Sequence, residues 1–408
     1  MPMSGPLAGY KVLDMSRILA GPWAGQMLAD LGADVIKIER PQVGDDTRHW
    51  GPPYLKDKQG NNTQDAAYFF CANRGKQSIT VDITQPEGQE IIRQLACQCD
   101  VLIENYKVGG LAKYGLDHKS LGQLNPQLVY CSITGFGQTG PYAKQPGYDF
   151  LIQGMAGLMS LTGEPDDEGG SPVKVGVAVS DLLTGLYAAN AIQGALLERH
   201  QSGLGQHIDL ALLDVQAAAL ANQASNYLIG GEIPQRLGNA HPNIVPYQAF
   251  ATADGHIILA VGNQTQFERL CGALEQPQWL ENKRYSSNSA RVENRQELCG
   301  EISQLLQQRN SQDWLRLFEQ QQIPCGPINN LEQTFSNPQL QARNMLVKIK
   351  EPRSGDIQLP ANPINYSRTP LRYSSPPPEL GNDTESILSH YLEYSAMDIA
   401  ELRNKTII

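Results

Sequence analysis

KVLDMSRILAGPWAGQMLADLGADVIKIER, residues 11–40, decides the fold. KVLDMS (11–16) is a short apolar stretch with strand character, and GPWAGQMLADLG (21–32) then keeps helical spacing until Gly32. ADVIKIE (33–39) is a second strand. The alternation continues outward. QSITVDI (77–83) leads into PEGQEIIRQLACQCD, where Pro86 opens a helix with Ile91, Ile92, Leu95 and Cys99 on its apolar face. VLIENY (101–106) and LVYCSITGF (128–136) are further strands. Strands alternating with helices at this spacing predict βαβ units and a mostly parallel, doubly wound α/β sheet. The first strand–helix turn, SRILAGPWAG, is not GxGxxG, so the standard dinucleotide fingerprint is absent and a dehydrogenase is disfavoured.

Further along, VKVGVAVSDLLTGLY (173–187) passes from an extended apolar lead-in to a helix beginning near Asp181. A carboxylate at that seam has two readings, a helix N-cap or a chemical group presented by the helix. QSGLGQ is a turn, HIDLAL a strand, and LLDVQAAALANQASNYLIGG reads as one long helix. GEIPQRLGNAHPNIVPYQAF, rich in Gly, Pro and Asn, leads into a second region. It has a strand pair turning at Asp254-Gly255, followed by helices at NQTQFERLCGAL and NRQELCGEISQLLQQR. The expected organisation is a large domain over 1–229, a smaller inserted α+β domain over 230–325, and a segment, 326–408, that returns to the large domain.

A chain of 408 residues is long for a single core. The formal charge of −10 disfavours nucleic acid as a partner, though a few placed cations suffice for a small anion. Seven cysteines, an odd number without CxxC or Cys/His spacing, predict free thiols in a reducing compartment and no metal site. MPMSGPLAGY has no signal-peptide character, and no run approaches a membrane span, so a cytoplasmic protein is expected.

Several stretches, in order over essentially the whole chain, resemble the family III CoA-transferases, the group of carnitine and formyl CoA-transferases. Besides residues 11–41 they are GDDTR (44–48), NRGKQSITVDI (73–83), VLIENYKVGGLAKYGL (101–116), GFGQTGP (135–141), GYD (147–149), the Asp181 segment, SGLGQHIDLALLD (202–214) and IPCGPI (323–328). GDDTRHWGPPY, NYLIGG and GNAHPNIVPYQAF are most similar to the branch that moves CoA from succinyl-CoA to a dicarboxylate such as glutarate. The resemblance implies a Rossmann-like large domain with a smaller inserted domain and an interlocked homodimer. Acyl-CoA and a carboxylic acid would be substrates, and no cofactor would be tightly bound.

It further implies that Asp181 is a nucleophile, passing CoA through an aspartyl anhydride and an aspartyl-CoA thioester. A helix N-terminus at Asp181 would favour its ionised form. Asp149 aligns with a carboxylate near the nucleophile. Leu19 and Ala20 would border the pantetheine, and Arg40 would meet the phosphates. Val81 to Thr84, Asn105, Tyr106, Lys107 and Lys113 would complete the cleft, although family members carry Arg at the position of Lys113 and some carry Lys at that of Thr84. Tyr148 stands where the similar acyl-CoA racemases have a histidine, and tyrosine is a poor base at neutral pH. That residue favours transferase over racemase; a non-catalytic acyl-CoA-binding protein is the remaining alternative. For the far carboxylate of a dicarboxylate the candidate residues are Arg17, Arg74 and Arg236. His241 would either join them or order its Pro-rich loop.

Overall fold

The computed structural model describes residues 5–371, 373 and 375–408. Its main sheet has six strands: β1 (Lys11–Asp14), β2 (Asp34–Glu39), β3 (Lys76–Thr80), β4 (Val101–Glu104), β5 (Val129–Thr134) and β6 (His207–Ala211). They are all parallel, in the order β3-β2-β1-β4-β5-β6. This is the doubly wound order, reversing direction between β1 and β4.

Side chains alternate between the two faces, as the pleat requires. Val12, Val35, Val101, Ile103, Val129 and Cys131 face one core. There they meet helix α1 (Ala20–Asp30), through Ala24 and Leu28, and helix α5 (Val179–Ser202), through Ala188, Ile192 and Leu196. Leu13, Ile36, Ile38, Ile79 and Leu102 face the other core, against α2 (Pro86–Gln98) and α3 (His118–Leu124). Two helices from the far end of the chain join that layer, α7 (Thr384–Leu392) and α8 (Ala396–Asn404), with Leu388 and Ile399 buried. They also close the sheet's edge. The Ser78 N–H of β3 donates to the Asp383 carboxylate at 2.9 Å and the Thr80 N–H to the Thr384 hydroxyl at 3.0 Å.

The chain forms two compact units. The first contains this sheet and comprises residues up to Ala156, Gly176–Ala219 and Pro338–Ile408; the second comprises Gly157–Val175 and Leu220–Asn337. The second unit has its own core, built from residues such as Phe250, Leu259, Phe267, Leu298 and Phe318, around a three-stranded antiparallel sheet. The hairpin turning at Asp254-Gly255 pairs Tyr247–Ala251 with His256–Ala260.

Two local expectations change. The lead-in Val173–Val177 joins no sheet, and α5 begins at Val179, two residues before Asp181. The long helix expected from Leu212 is broken into α6 (Leu212–Ala218) and a helix over Ala221–Gly230. Ala221 there adopts φ 46°, a left-handed conformation that cannot propagate a right-handed helix. None of the helices among the described residues is long and apolar enough to cross a membrane.

Candidate active site

A cleft of about 530 Å³ opens at the carboxyl ends of the strands, where an open α/β sheet accepts ligands. The segments leaving β1, β2, β3 and β4 supply Arg17 to Ala20, Arg40, Val81 to Thr84, and Asn105 to Val108 to its walls. The loop after β5 reaches it through two glycines. A Cβ on Gly135 would stand 2.5 Å from the Gly147 Cα, and one on Gly147 would stand 2.3 Å from the Gly135 Cα. Only glycine at both positions lets the two backbones touch, which brings Lys144, Tyr148 and Asp149 to the cleft.

Asp181 lines the same cleft from the first turn of α5. It is not the cap of that helix. Ala178 holds the N-cap position and offers no side-chain bond, so Asp181 is the third helical residue. The capping is done from helix α4 (Asp149–Met155): one Asp149 oxygen accepts the Ser180 N–H at 2.8 Å and the Asp181 N–H at 3.4 Å. The other Asp149 oxygen accepts from Gln153 Nε2 at 2.7 Å. The Asp181 carboxylate accepts no hydrogen bond and makes no ion pair among the described residues. Burial, and then the nearby Asp149 charge, push it up to about 7. The helix N-terminus was expected to favour the ionised form; burial and the second carboxylate outweigh it.

The family model described as CoA-transferase family III matches residues 7–384. A protein of Agrobacterium fabrum named succinate–glutarate CoA-transferase is 54% identical over 94% of this chain and 95% of its own length. The human succinyl-CoA:glutarate CoA-transferase is 43% identical over 99% of this chain and 90% of its own length. A crystal structure of a CaiB/BaiF family protein from Brucella suis superposes with a TM-score of 0.83 at 48% identity, covering 95% of this chain and 100% of that one. This chain is a family III CoA-transferase.

The transferase's cleft gathers most of the residues singled out from the sequence: Arg17, Leu19, Ala20, Arg40, Val81, Thr84, Asn105, Tyr106, Lys107, Lys113, Tyr148, Asp149 and Asp181 all line it. Their surroundings divide them. Arg40, Lys107, Lys113 and Lys144 are exposed and form no ion pair among the described residues, leaving four cations open to an anionic ligand. Lys144 was not singled out from the sequence, since a lysine in a polar loop carries no signal. Asn105 is engaged in the protein: its side chain accepts the Arg17 N–H at 2.9 Å and donates to the Arg17 carbonyl at 2.7 Å. The Thr84 hydroxyl is turned onto Asp82 at 2.7 Å. Arg17 pairs with Asp46 at 2.9 Å while remaining largely exposed.

Three candidates have other partners. Arg74 is buried in a two-pronged pair with Asp30, at 2.8 and 2.7 Å, and also donates to the Pro360 carbonyl. Arg236, in the second unit, is held by the Glu164 carbonyl and the Asp166 carboxylate. His241, in the same unit, accepts the Asn243 N–H at 3.1 Å through Nδ1, which orders its loop.

Sequence reasoning missed the ionic floor of the transferase's cleft. Lys37 and Asp45 line the cleft but are almost wholly shielded from water, 2.8 Å apart. Burial alone would raise the Asp45 pKa; Lys37 and the bonds from Thr47 bring it down to about 2. Burial would likewise lower the Lys37 pKa, yet Asp45, Asp14 and Glu39 raise it. Beside them Lys76 pairs with Asp14 at 2.8 Å and Arg48 with Glu39 at 2.7 Å, all buried. GDDTR supplies Asp45 and Arg48 to this floor and NRGK supplies Lys76, while their partners Lys37, Glu39 and Asp14 come from β2 and β1. Charged residues inside otherwise apolar strands were the signal that could have found it.

Proposed function

We propose that this transferase moves CoA from succinyl-CoA to glutarate or a similar dicarboxylate, with Asp181 as nucleophile. The observation that carries the reading is an aspartate in the cleft whose carboxylate has no partner among the described residues, its backbone held by a second aspartate. The substrates are those named for the relatives at 43% and 54% identity.

The chemistry follows from the need to keep the thioester's activation. An Asp181 oxygen attacks the succinyl thioester carbonyl, the C–S bond breaks, and CoA leaves as thiolate, forming a mixed aspartyl–succinyl anhydride. The thiolate attacks the aspartyl carbonyl of that anhydride, expelling succinate and leaving β-aspartyl-CoA. A glutarate oxygen attacks this thioester, again releasing the thiolate and forming a glutaryl anhydride. Attack of the thiolate on the glutaryl carbonyl yields glutaryl-CoA and restores the Asp181 carboxylate. A hydroxyl nucleophile would form an ordinary ester, from which return to CoA is uphill.

Asp149 positions Asp181, and the four open cations receive the CoA phosphates. Arg17, exposed in the same cleft, takes the acceptor's far carboxylate. CoA is a substrate here and not a resident cofactor. The free state of all seven cysteines supports a cytoplasmic location. An interlocked homodimer, with the smaller unit as an inserted domain, is the assembly we propose. Leu186, Tyr187 and Leu197, exposed along α5, supply apolar surface for it, and sedimentation velocity would test it.

The deciding experiment is mass spectrometry after incubation with succinyl-CoA and hydroxylamine, without acceptor. A hydroxamate on the peptide holding Asp181, absent from Asp181→Asn, is the expected result. An unmodified peptide with several acyl-CoA donors would return the chemistry to racemisation or simple binding.

A further inference from the structure

The turn between β1 and α1 contains an anomaly. Ile18 has φ 74°, in the left-handed region, where a β-branched side chain is strained. Such a conformation persists only where the surroundings impose it. Here they are specific. The Ile18 N–H points at the Asp45 carboxylate, 3.3 Å from each oxygen. Asp45 is fixed in turn by Lys37 at 2.8 Å and by the Thr47 N–H and hydroxyl at 3.0 and 2.7 Å. Lys37 also donates to the Ser16 carbonyl at 2.9 Å, so one buried ion pair grips the turn on both sides of Arg17.

What the turn delivers is the cleft wall Ile18–Leu19–Ala20. Ala20 is also the point where α1 meets the nucleophile's helix: a Cβ on Gly185, one turn beyond Asp181, would stand 2.7 Å from the Ala20 carbonyl oxygen. A relaxed Ile18 would redirect the chain just before Ala20 and shift this wall relative to Asp181.

We infer that Asp45 is a positioning residue of the transferase, holding Ile18 in its left-handed conformation so that the Ile18–Ala20 wall keeps its place in the cleft. It touches no reacting atom and acts through the backbone of Ile18. The buried Lys37 serves to keep Asp45 ionised and aimed. The inference rests on Asp181 lying in the substrate cleft, as proposed above.

The test is a double-mutant cycle of Asp45→Asn and Ile18→Gly in the full-length protein. It reads glutaryl-CoA formation from succinyl-CoA together with the dissociation constant for CoA, and uses thermal melting to confirm that each variant is folded. Asparagine keeps an oxygen for the Ile18 N–H but loses the charge that Lys37 orients. Asp45→Asn is expected to lower kcat/KM and weaken CoA binding, each on the order of tenfold, since small displacements of a positioned wall are costly. Glycine adopts φ 74° without strain and no longer needs the restraint. In the Ile18→Gly background, Asp45→Asn should therefore cost about twofold or less. A purely structural ion pair would not be rescued in this way. Losses that multiply, or an Asp45→Asn protein with native activity and CoA affinity, would overturn the inference. CoA affinity decides the cycle even if glutarate is not an acceptor, a result that would count against the proposed substrates alone.

Discussion

Two of the aspartates that line the cleft are treated in opposite ways. Asp45 is sealed from water, paired with Lys37 and held by Thr47, and its pKa is drawn down to about 2. Asp181 is half-buried, accepts no hydrogen bond from a described residue, lies near the Asp149 carboxylate, and is raised to about 7. The first is a carboxylate satisfied by the fold; the second is withheld from satisfaction. The contrast teaches that a carboxylate available for chemistry is marked by the partner it lacks, once the backbone around it is accounted for.

The largest effect expected is in the chemistry. Asp181→Asn should lower CoA transfer by at least about 10³-fold, with an unchanged or slightly higher melting temperature because an unfavourable charge is removed. An Asn variant that melts much earlier would make Asp181 a residue kept for stability and not for chemistry. Lys37→Met should do the reverse: it leaves Asp45 buried without its cation and should lower stability in urea by about 3–5 kcal/mol. A small change there would erase the difference between the two sites.

Next comes pH. In the proposed mechanism only the ionised Asp181 attacks, so kcat/KM for the donor should be low near pH 6, climb through about 7 and level off near pH 8. Asp149→Asn keeps an oxygen to cap α5 and removes the repelling charge, so the limb should move to lower pH. A limb that stays put would mean burial alone sets the value. Stability should show opposite signs. The Asp45 contribution is present above its ordinary 3.8 and is lost as pH falls through about 2. Asp181, raised from 3.8, contributes most below that value and loses its contribution as pH rises through about 7.

Smaller still, Gly185→Ala should cost about 1–3 kcal/mol, because its methyl meets the Ala20 carbonyl and the Trp23 side chain. Arg17→Ala, at an exposed pair, should change stability by less than about 1 kcal/mol while raising KM for glutarate. An unchanged KM would release Arg17 from substrate recognition.

How far the sequence carried the argument depended on the range of the interaction. The alternation of KVLD, ILAGPWAG and DVIKIE is local, and the parallel sheet could be read from it. Asp181 was singled out, but its setting looked like a local cap. The true cap, Asp149, lies 31 residues before Ser180 and reaches it only through the fold. Gly135 and Gly147 gave no sign of touching each other, since contact between two loops has no periodicity. Lys37 looked like an ordinary charge within a strand; its burial against Asp45 depends on how the GDDTR turn closes beneath the cleft.

The edge of the sheet has a consequence for the order in which the protein can be made. β3 is complete by residue 80, yet the side chains that occupy its outward N–H groups arrive at 383 and 384. During synthesis, some 300 further residues must be translated while that strand remains a free template for pairing with another chain. The large unit therefore cannot finish folding as it emerges. Its edge closes only when α7 has left the ribosome, which makes the far end of the chain the final check on the first unit begun.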